Sequence, residues 1–171
     1  MLDLIAIGVL AVSQPTPLPP RLEPKTAFDV PAPPSLARGD VLAWTGRYVR
    51  GSWTLLAYDY EGVKLAKAGA VTRTAQGYAD AEVRTELFRP VPLRAGVVAR
   101  SGVAHWNVDC DAGRLAVVTM TVYAGNNLEG ELASRKTDGQ IWQDPVGSES
   151  EAMRAVCKAI GLTAKLPPPT T

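Results

Sequence analysis

The clearest pattern in the chain is a strict alternation of apolar and polar side chains over residues 78–89. One face carries Ala79, Ala81, Val83, Thr85 and Leu87, and the other carries Asp80, Glu82, Arg84 and Glu86. Period-two alternation is typical of a strand with one face in the core and one in water. We therefore interpret the charged face as a solvated sheet surface rather than as paired catalytic carboxylates. Pro90 and Pro92 are expected to end the strand.

Other apolar runs predict further strands of the same antiparallel sheet. Residues 53–59 and 97–110 are rich in aromatic and branched side chains, as strands are. Residues 114–123 return after a turn at 111–113, where Gly113 can adopt a positive φ. The apolar face of that returning strand consists of Ala116, Val118, Met120 and Val122. Short strands are expected at residues 63–67, 70–74 and 131–136, and residues 41–49 fit either a strand or a short helix.

One helix is predicted near the C-terminus. Its apolar stripe follows the spacing i, i+3, i+4, i+7 and consists of Met153, Val156, Cys157 and Ile160. This spacing places all four side chains on one face of a helix. Ser148 with Glu151 fits a capping box at its start, and Gly161 fits the left-handed cap at its end. We expect this helix to pack on one face of the sheet.

The N-terminus resembles an export signal. Residues 4–12 form a nine-residue apolar run, too short to cross a bilayer as a helix. Ala11 and Ser13 are small residues at the −3 and −1 positions of a cut after Ser13. Asp3 stands where positive charge is usual, so an ordinary apolar strand is the alternative. We expect residues 1–13 to be a signal peptide and the mature protein to lack a transmembrane helix.

Prolines dominate the next stretch, residues 14–35. They are Pro15, Pro17, Pro19, Pro20, Pro24, Pro31, Pro33 and Pro34. Each fixes φ and lacks a backbone donor, which excludes a helix or an interior strand. An extended spacer is favoured over a ligand for a proline-recognition module. We expect a single α+β domain over residues 36–164 and a disordered tail at 165–171.

Composition excludes one class of partner. Eighteen Lys and Arg residues face 17 Asp and Glu residues, for a net charge of +1. This balance gives no electrostatic footprint for nucleic acid. Hydrophobic residues at 46% and charged residues at 20% are typical of a soluble globular protein.

Cys110 and Cys157 are the only cysteines, and each is predicted to face the core. Cys110 shares a strand face with Trp106 and Val108, while Cys157 lies on the apolar helix stripe. The pair is either two buried free thiols or a disulfide. Export favours the disulfide, because such bonds persist in oxidising compartments.

Catalytic and metal chemistry find little support in the residue pattern. His105 is the only histidine, and Asp109 on the same strand face lies roughly 13 Å away at about 3.3 Å per residue. We interpret His105 as a partly exposed strand residue. The cysteine spacing matches no zinc pattern, and Asp109 and Asp111 fit a turn more simply than a calcium site. We expect no catalytic, cofactor-binding or metal residues, and core packing for Trp44, Trp53, Trp106 and Trp142.

The order of landmarks along the chain resembles the surface-adhesin protein E-like family of exported bacterial proteins, over about residues 51–161. The landmarks are Trp53, the alternating strand, Asp109-Cys110, a strand ending at Tyr123, then Trp142, Pro145, Ser148 and the helix with Cys157. The resemblance implies an α+β fold with an antiparallel sheet of about six strands. It also implies a C-terminal helix packed on one face and tied to the sheet by a Cys110–Cys157 disulfide.

The same resemblance suggests the role. The adhesin that gives the family its name binds host matrix and plasma proteins, and many relatives have no assigned role. We expect an exported, non-enzymatic binding module in the periplasm or on the cell surface of a bacterium, with a protein partner in the envelope or the extracellular matrix. The alternative is a small-ligand carrier, or an envelope accessory protein with no adhesive role. A deep pocket lined by His105 would favour the carrier.

Overall fold

A computed structural model describes residues 30–67, 69–94 and 96–165. The predicted signal peptide, most of the proline-rich stretch and nearly all of the C-terminal tail lie outside these residues. The helices are α1 (Arg38–Tyr48) and α2 (Ser148–Ala159). The strands are β1 (Trp53–Tyr58), β2 (Gly62–Lys67), β3 (Thr72–Arg73), β4 (Ala79–Arg94), β5 (Val97–Asp109), β6 (Arg114–Tyr123), β7 (Glu131–Lys136) and β8 (Trp142–Gln143).

The strands form one antiparallel sheet with the order β1-β2-β4-β5-β6-β7. The two-residue strands β3 and β8 pair with β4 and β6. Helix α2 packs on one face of this sheet, where its apolar stripe meets the small and branched residues of β4 and β5. The predicted α+β fold, the strand arrangement and the C-terminal helix are confirmed.

Helix α1 covers part of the opposite face and settles the ambiguity over residues 41–49. Val41 and Trp44 are buried and Tyr48 is half-buried, the spacing of a helical stripe. They pack with Val63 and other side chains of β2 and β4 in a second apolar cluster. Both faces of the sheet are therefore covered at this end, and Trp44 packs in the core as predicted.

The interpretation of the charged face of β4 as solvated is wrong at its C-terminal half. Glu82 is exposed, but Arg84 is only 3% exposed and Glu86 is fully buried. The cause is the turn after β6, together with Arg50 and Trp53, which contact these two side chains. Alternation along one strand reports on side-chain direction but not on what covers the face.

The expectation that Pro90 and Pro92 end the strand is also wrong, because β4 continues to Arg94. The last residue of β4 paired with β2 is Leu87. Beyond it, only β5 pairs with β4, through Val91 and Pro92 among others. A proline is tolerated where one edge of the strand needs no backbone donor.

Two local predictions fail because of a bulge and a glycine. Between Val117 and Thr119 the pairing of β6 with β5 skips one residue, so Leu115 and Val117, rather than Ala116, face the apolar cluster beneath α2. A β-bulge inverts the alternation in this way. At the start of α2, Gly147 with φ 51° takes the cap position and no side chain caps the helix. Ser148 is already helical, so the capping box is absent.

Candidate functional site

A disulfide joins the end of β5 to helix α2. Cys110 and Cys157 are both buried and bonded to each other, which confirms the predicted pair. The bond spans a sequence separation of 47, and closing such a loop stabilises the fold by about 4 kcal/mol in the chain-entropy model. The backbone N–H of Lys165 donates to the carbonyl of Cys110 at 2.9 Å. The chain beyond α2 is thus also held against the sheet.

A buried ion pair lies beneath α1 on the other face. The Arg84 guanidinium donates to the Glu86 carboxylate through Nε at 2.8 Å and also through Nη2. The Trp53 ring stacks over the guanidinium at 4.9 Å. Burying two charges costs several kcal/mol each unless their hydrogen bonds are complete. The cluster therefore stabilises the fold only if the other polar atoms of Arg84 and Glu86 also have hydrogen-bond partners.

The turn after β6 supplies those partners. Asn126 Nδ2 donates to Glu86 Oε2 at 2.9 Å, and the backbone N–H of Asn127 donates to Glu86 Oε1 at 2.9 Å. The Asn127 side chain accepts from the N–H of Arg50 at 2.7 Å and from Arg84 Nη2 at 2.9 Å. Asn127 adopts a left-handed φ of 61°, a region that Asn tolerates better than most residues. The cluster ties α1, β4 and this turn into one unit.

Any acid–base catalysis by a histidine in this protein would have to use His105. Its Nε2 lies 2.7 Å from Asp80 Oδ2 on the neighbouring strand, with the two side chains 38% and 29% exposed. Its expected state as a partly exposed strand residue is confirmed. Asp109 instead accepts from the backbone N–H of Ala112 at 2.9 Å and pairs with Arg114. Within residues 30–67, 69–94 and 96–165, no hydroxyl or thiol hydrogen-bonds to the imidazole.

Two cavities among the described residues are built without His105. One, of about 250 Å³, lies between the C-terminal end of α1 and the turn after β6, and its wall includes Arg47, Tyr48 and Asn126. The other, of about 180 Å³, lies between β1, β2 and α2 and is largely apolar. His105 lines neither of them.

A β-hairpin arm extends beyond the end of β2. We define the β4–β5 arm as residues 89–94 and 96–100, where β4 pairs only with β5. Val91, Leu93 and Val98 are 37%, 47% and 39% exposed on it. Residues 89–100 contain three arginines and no Asp or Glu. Exposed apolar side chains beside arginines are typical of a binding surface.

The part of the chain that the structure describes lacks two other kinds of site. No three His, Cys, Asp or Glu side chains there come together as ligands for a metal ion. No helix there is long and apolar enough to cross a membrane.

The surface-adhesin protein E family model matches residues 53–158. The chain belongs to this family. An adhesin-like surface protein is therefore the broad role, and the predicted resemblance is confirmed. The crystal structure (form II) of protein E from Haemophilus influenzae is similar at 16% identity, with a TM-score of 0.47, over 66% of this chain and 92% of that one. No curated protein sequence matches the chain.

The family match contains the disulfide, the β4–β5 arm and the His105–Asp80 pair, whereas α1 precedes it. Sequence reasoning missed the arm, because it expected the prolines at its base to end β4. It also missed the cluster around Glu86. The one available signal for that cluster was the Asn-Asn pair at residues 126–127, which a simple turn between strands also explains.

Proposed function

We propose that this surface-adhesin protein E family member is an exported, non-enzymatic binding module of the bacterial envelope that contacts a protein partner through its β4–β5 arm. The observation that carries the proposal is the exposure of Val91, Leu93 and Val98 beside arginines on a strand pair that leaves the rest of the sheet. Family membership supports an adhesive role for such a surface.

The chemistry of the arm describes the partner. Apolar side chains with arginine are enriched at the centres of protein interfaces. Arg89 and Arg94 are exposed, and no acidic residue of the arm neutralises them. Complementary charge steers association. The partner is therefore a protein of the envelope or extracellular matrix with an apolar patch bordered by carboxylates.

The non-enzymatic part of the proposal rests on His105. Its pairing with Asp80 lies on the sheet surface, away from the two cavities. A carrier or an enzyme built around this histidine would need a concave site to hold its ligand. The geometry favours binding by an exposed arm instead.

Export is proposed together with this role. A leader cut after Ser13 would deliver the domain to the periplasm or the cell surface, with residues 14–35 as a spacer. The buried disulfide supports an oxidising destination, because such bonds are rare in the cytosol.

A pair of double variants of the full chain tests the arm. Val91→Ser with Leu93→Ser removes two exposed apolar side chains from the arm, and Ile141→Ser with Val146→Ser removes two from elsewhere, at 64% and 71% exposure. Binding to immobilised envelope fractions and matrix proteins is measured by surface plasmon resonance. We expect the first pair to weaken binding on the order of tenfold or more and the second to leave it unchanged.

Two results would contradict the proposal. Equal affinities for the two double variants would remove the arm as the contact surface. Absence of any binding partner for the wild-type chain in both sets of proteins would remove the adhesive role itself.

A further inference from the structure

The described chain begins with a short segment that lies across helix α1. We define the strap as residues 30–33, Val-Pro-Ala-Pro. Val30 packs against the second apolar cluster, the one that contains Trp44. The Trp44 Nε1 donates to the carbonyl oxygen of Pro31 at 2.6 Å. Val30 and Pro33 are half-buried while the two residues between them are exposed. Burial at i and i+3 is the periodicity of a polyproline II helix, which has three residues per turn.

The surface beneath the strap is aromatic. The Trp44 ring lies 5.8 Å from the Tyr48 ring and 4.9 Å, edge to face, from the Phe88 ring. The polyproline II backbone forms no internal hydrogen bonds, so its carbonyl oxygens are free to accept from a partner. An aromatic groove that binds such a segment is a recurring mode of proline-rich peptide recognition. Here the indole N–H of Trp44 makes the polar contact.

We propose that this aromatic surface of α1 is a binding site for proline-rich peptides. Within one chain the strap occupies it, and between two chains the strap of a second copy takes the same place. Except for Phe88, the residues of this site precede the family match at 53–158, and the proposal does not rest on the proposed function. Since the structure already shows this segment fitting the surface, every further copy of the chain carries a matching ligand.

Two features favour exchange between copies. Only residues 34–37 separate the strap from the first residue of α1, and Pro34 stiffens that connection. Short, stiff hinges are the setting in which elements swap between protomers. The surface also continues past the strap, because the cavity of about 250 Å³ is lined by Val30 and Pro31 together with Tyr48.

Peptide binding to the full-length chain tests the site. The probe is a synthetic peptide with the sequence of residues 28–35, and the readout is the Trp44 indole N–H resonance, assigned by its loss in Trp44→Phe. We expect the wild type to need several-fold more peptide for the same shift than the strap variant described next, since a tethered strap competes at millimolar effective concentration. In Val30→Ser with Pro33→Ser we expect a saturable shift, and none with a scrambled peptide.

Adding Trp44→Phe to that double variant keeps the aromatic packing but removes the indole donor. We expect it to weaken peptide binding, followed by intrinsic fluorescence, by about fivefold, the effect of one neutral hydrogen bond. The single Val30→Ser variant repeats the titration if the double variant gives a poorly dispersed spectrum. A folded strap variant whose indole resonance is unmoved by a few millimolar peptide would overturn the site.

Mixing two full-length variants tests the second copy as occupant. The strap variant has a vacant surface, and Trp44→Phe has an intact strap with a weakened surface of its own. We expect a one-to-one dimer in the mixture by native mass spectrometry and none in either sample alone. A mixture that stays monomeric at concentrations where the peptide binds would overturn the exchange between copies.

Discussion

The fully buried carboxylate of Glu86 shows how side chains from distant parts of the chain make one charge tolerable. It accepts hydrogen bonds from Arg84, Asn126 and the backbone N–H of Asn127. Complete hydrogen bonding offsets the desolvation of both members of a buried pair, and removing one member leaves the other charge uncompensated.

Replacing this carboxylate should therefore be costly. We expect Glu86→Gln to lower the free energy of unfolding by about 3 kcal/mol, because the Arg84 charge would stay buried without a counter-charge. Glu82→Gln is the matched control, since Glu82 is exposed on the same strand and should change stability by less than about 0.5 kcal/mol. Urea titrations measure both, and equal effects would contradict the assigned role of the cluster.

Asp59 gives the fold a dependence on pH. Partial burial would raise the pKa of its carboxyl, but the Ser148 hydroxyl, the backbone N–H groups of Glu61 and Gly62 and the Lys64 charge outweigh this and hold the pKa below 3.8. A lowered native pKa adds stability that is present above about pH 4 and is lost as pH falls through the native value.

We expect Asp59→Asn to lower the free energy of unfolding at pH 7 by about 1 kcal/mol, after allowance for solvent screening. The difference from the wild type should shrink as the pH falls below 4. Asp144→Asn, at an exposed position, serves as the control. Chemical denaturation at several pH values measures the effect, and a difference that is constant down to pH 2 would refute the assignment.

At the scale of single elements, substitutions at two glycines test the helical conformation of α1 and the close approach of β2 to β4. Gly46 lies inside α1 with no atom within 4 Å of an added Cβ, whereas a Cβ at Gly62 would meet the Glu86 carbonyl oxygen at 2.2 Å. We expect Gly46→Ala to stabilise by about 0.5–1 kcal/mol, as in a helix interior. Gly62→Ala should destabilise by about 3 kcal/mol, because β2 cannot move away from β4 without losing its ladder.

Thermal unfolding of the two variants compares them directly. A loss of stability in Gly46→Ala would show that residues 38–48 are not helical. Tolerance of alanine at Gly62 would show that β2 does not approach β4 as closely as the structure has it.

Most of the sheet and α2 could be predicted, because alternation and helical spacing are local properties of the chain. Helix α1 could not be, since the short apolar run at residues 41–49, interrupted by Gly46, also fits a strand. The path of β4 past Pro90 depends on where β2 ends. The partner of His105 is Asp80, 25 residues away, and contacts across strands are set by register rather than by sequence spacing.

At the scale of the molecule, one sheet is covered on both faces by different means. A disulfide fixes α2 on one face. On the other, the strap and the Glu86 cluster hold α1 and the turn after β6. This leaves the β4–β5 arm projecting from a scaffold held on both sides, and a rigid support limits the entropy lost when an exposed surface binds a partner.

Export of this domain with its β5–α2 disulfide formed can be tested by intact-mass spectrometry of the protein purified from its native envelope. We expect a mass that lacks residues 1–13 and is two hydrogens below that of the reduced chain. A mass that retains Met1 and both thiol hydrogens would contradict the proposed export and the bond on which this architecture depends.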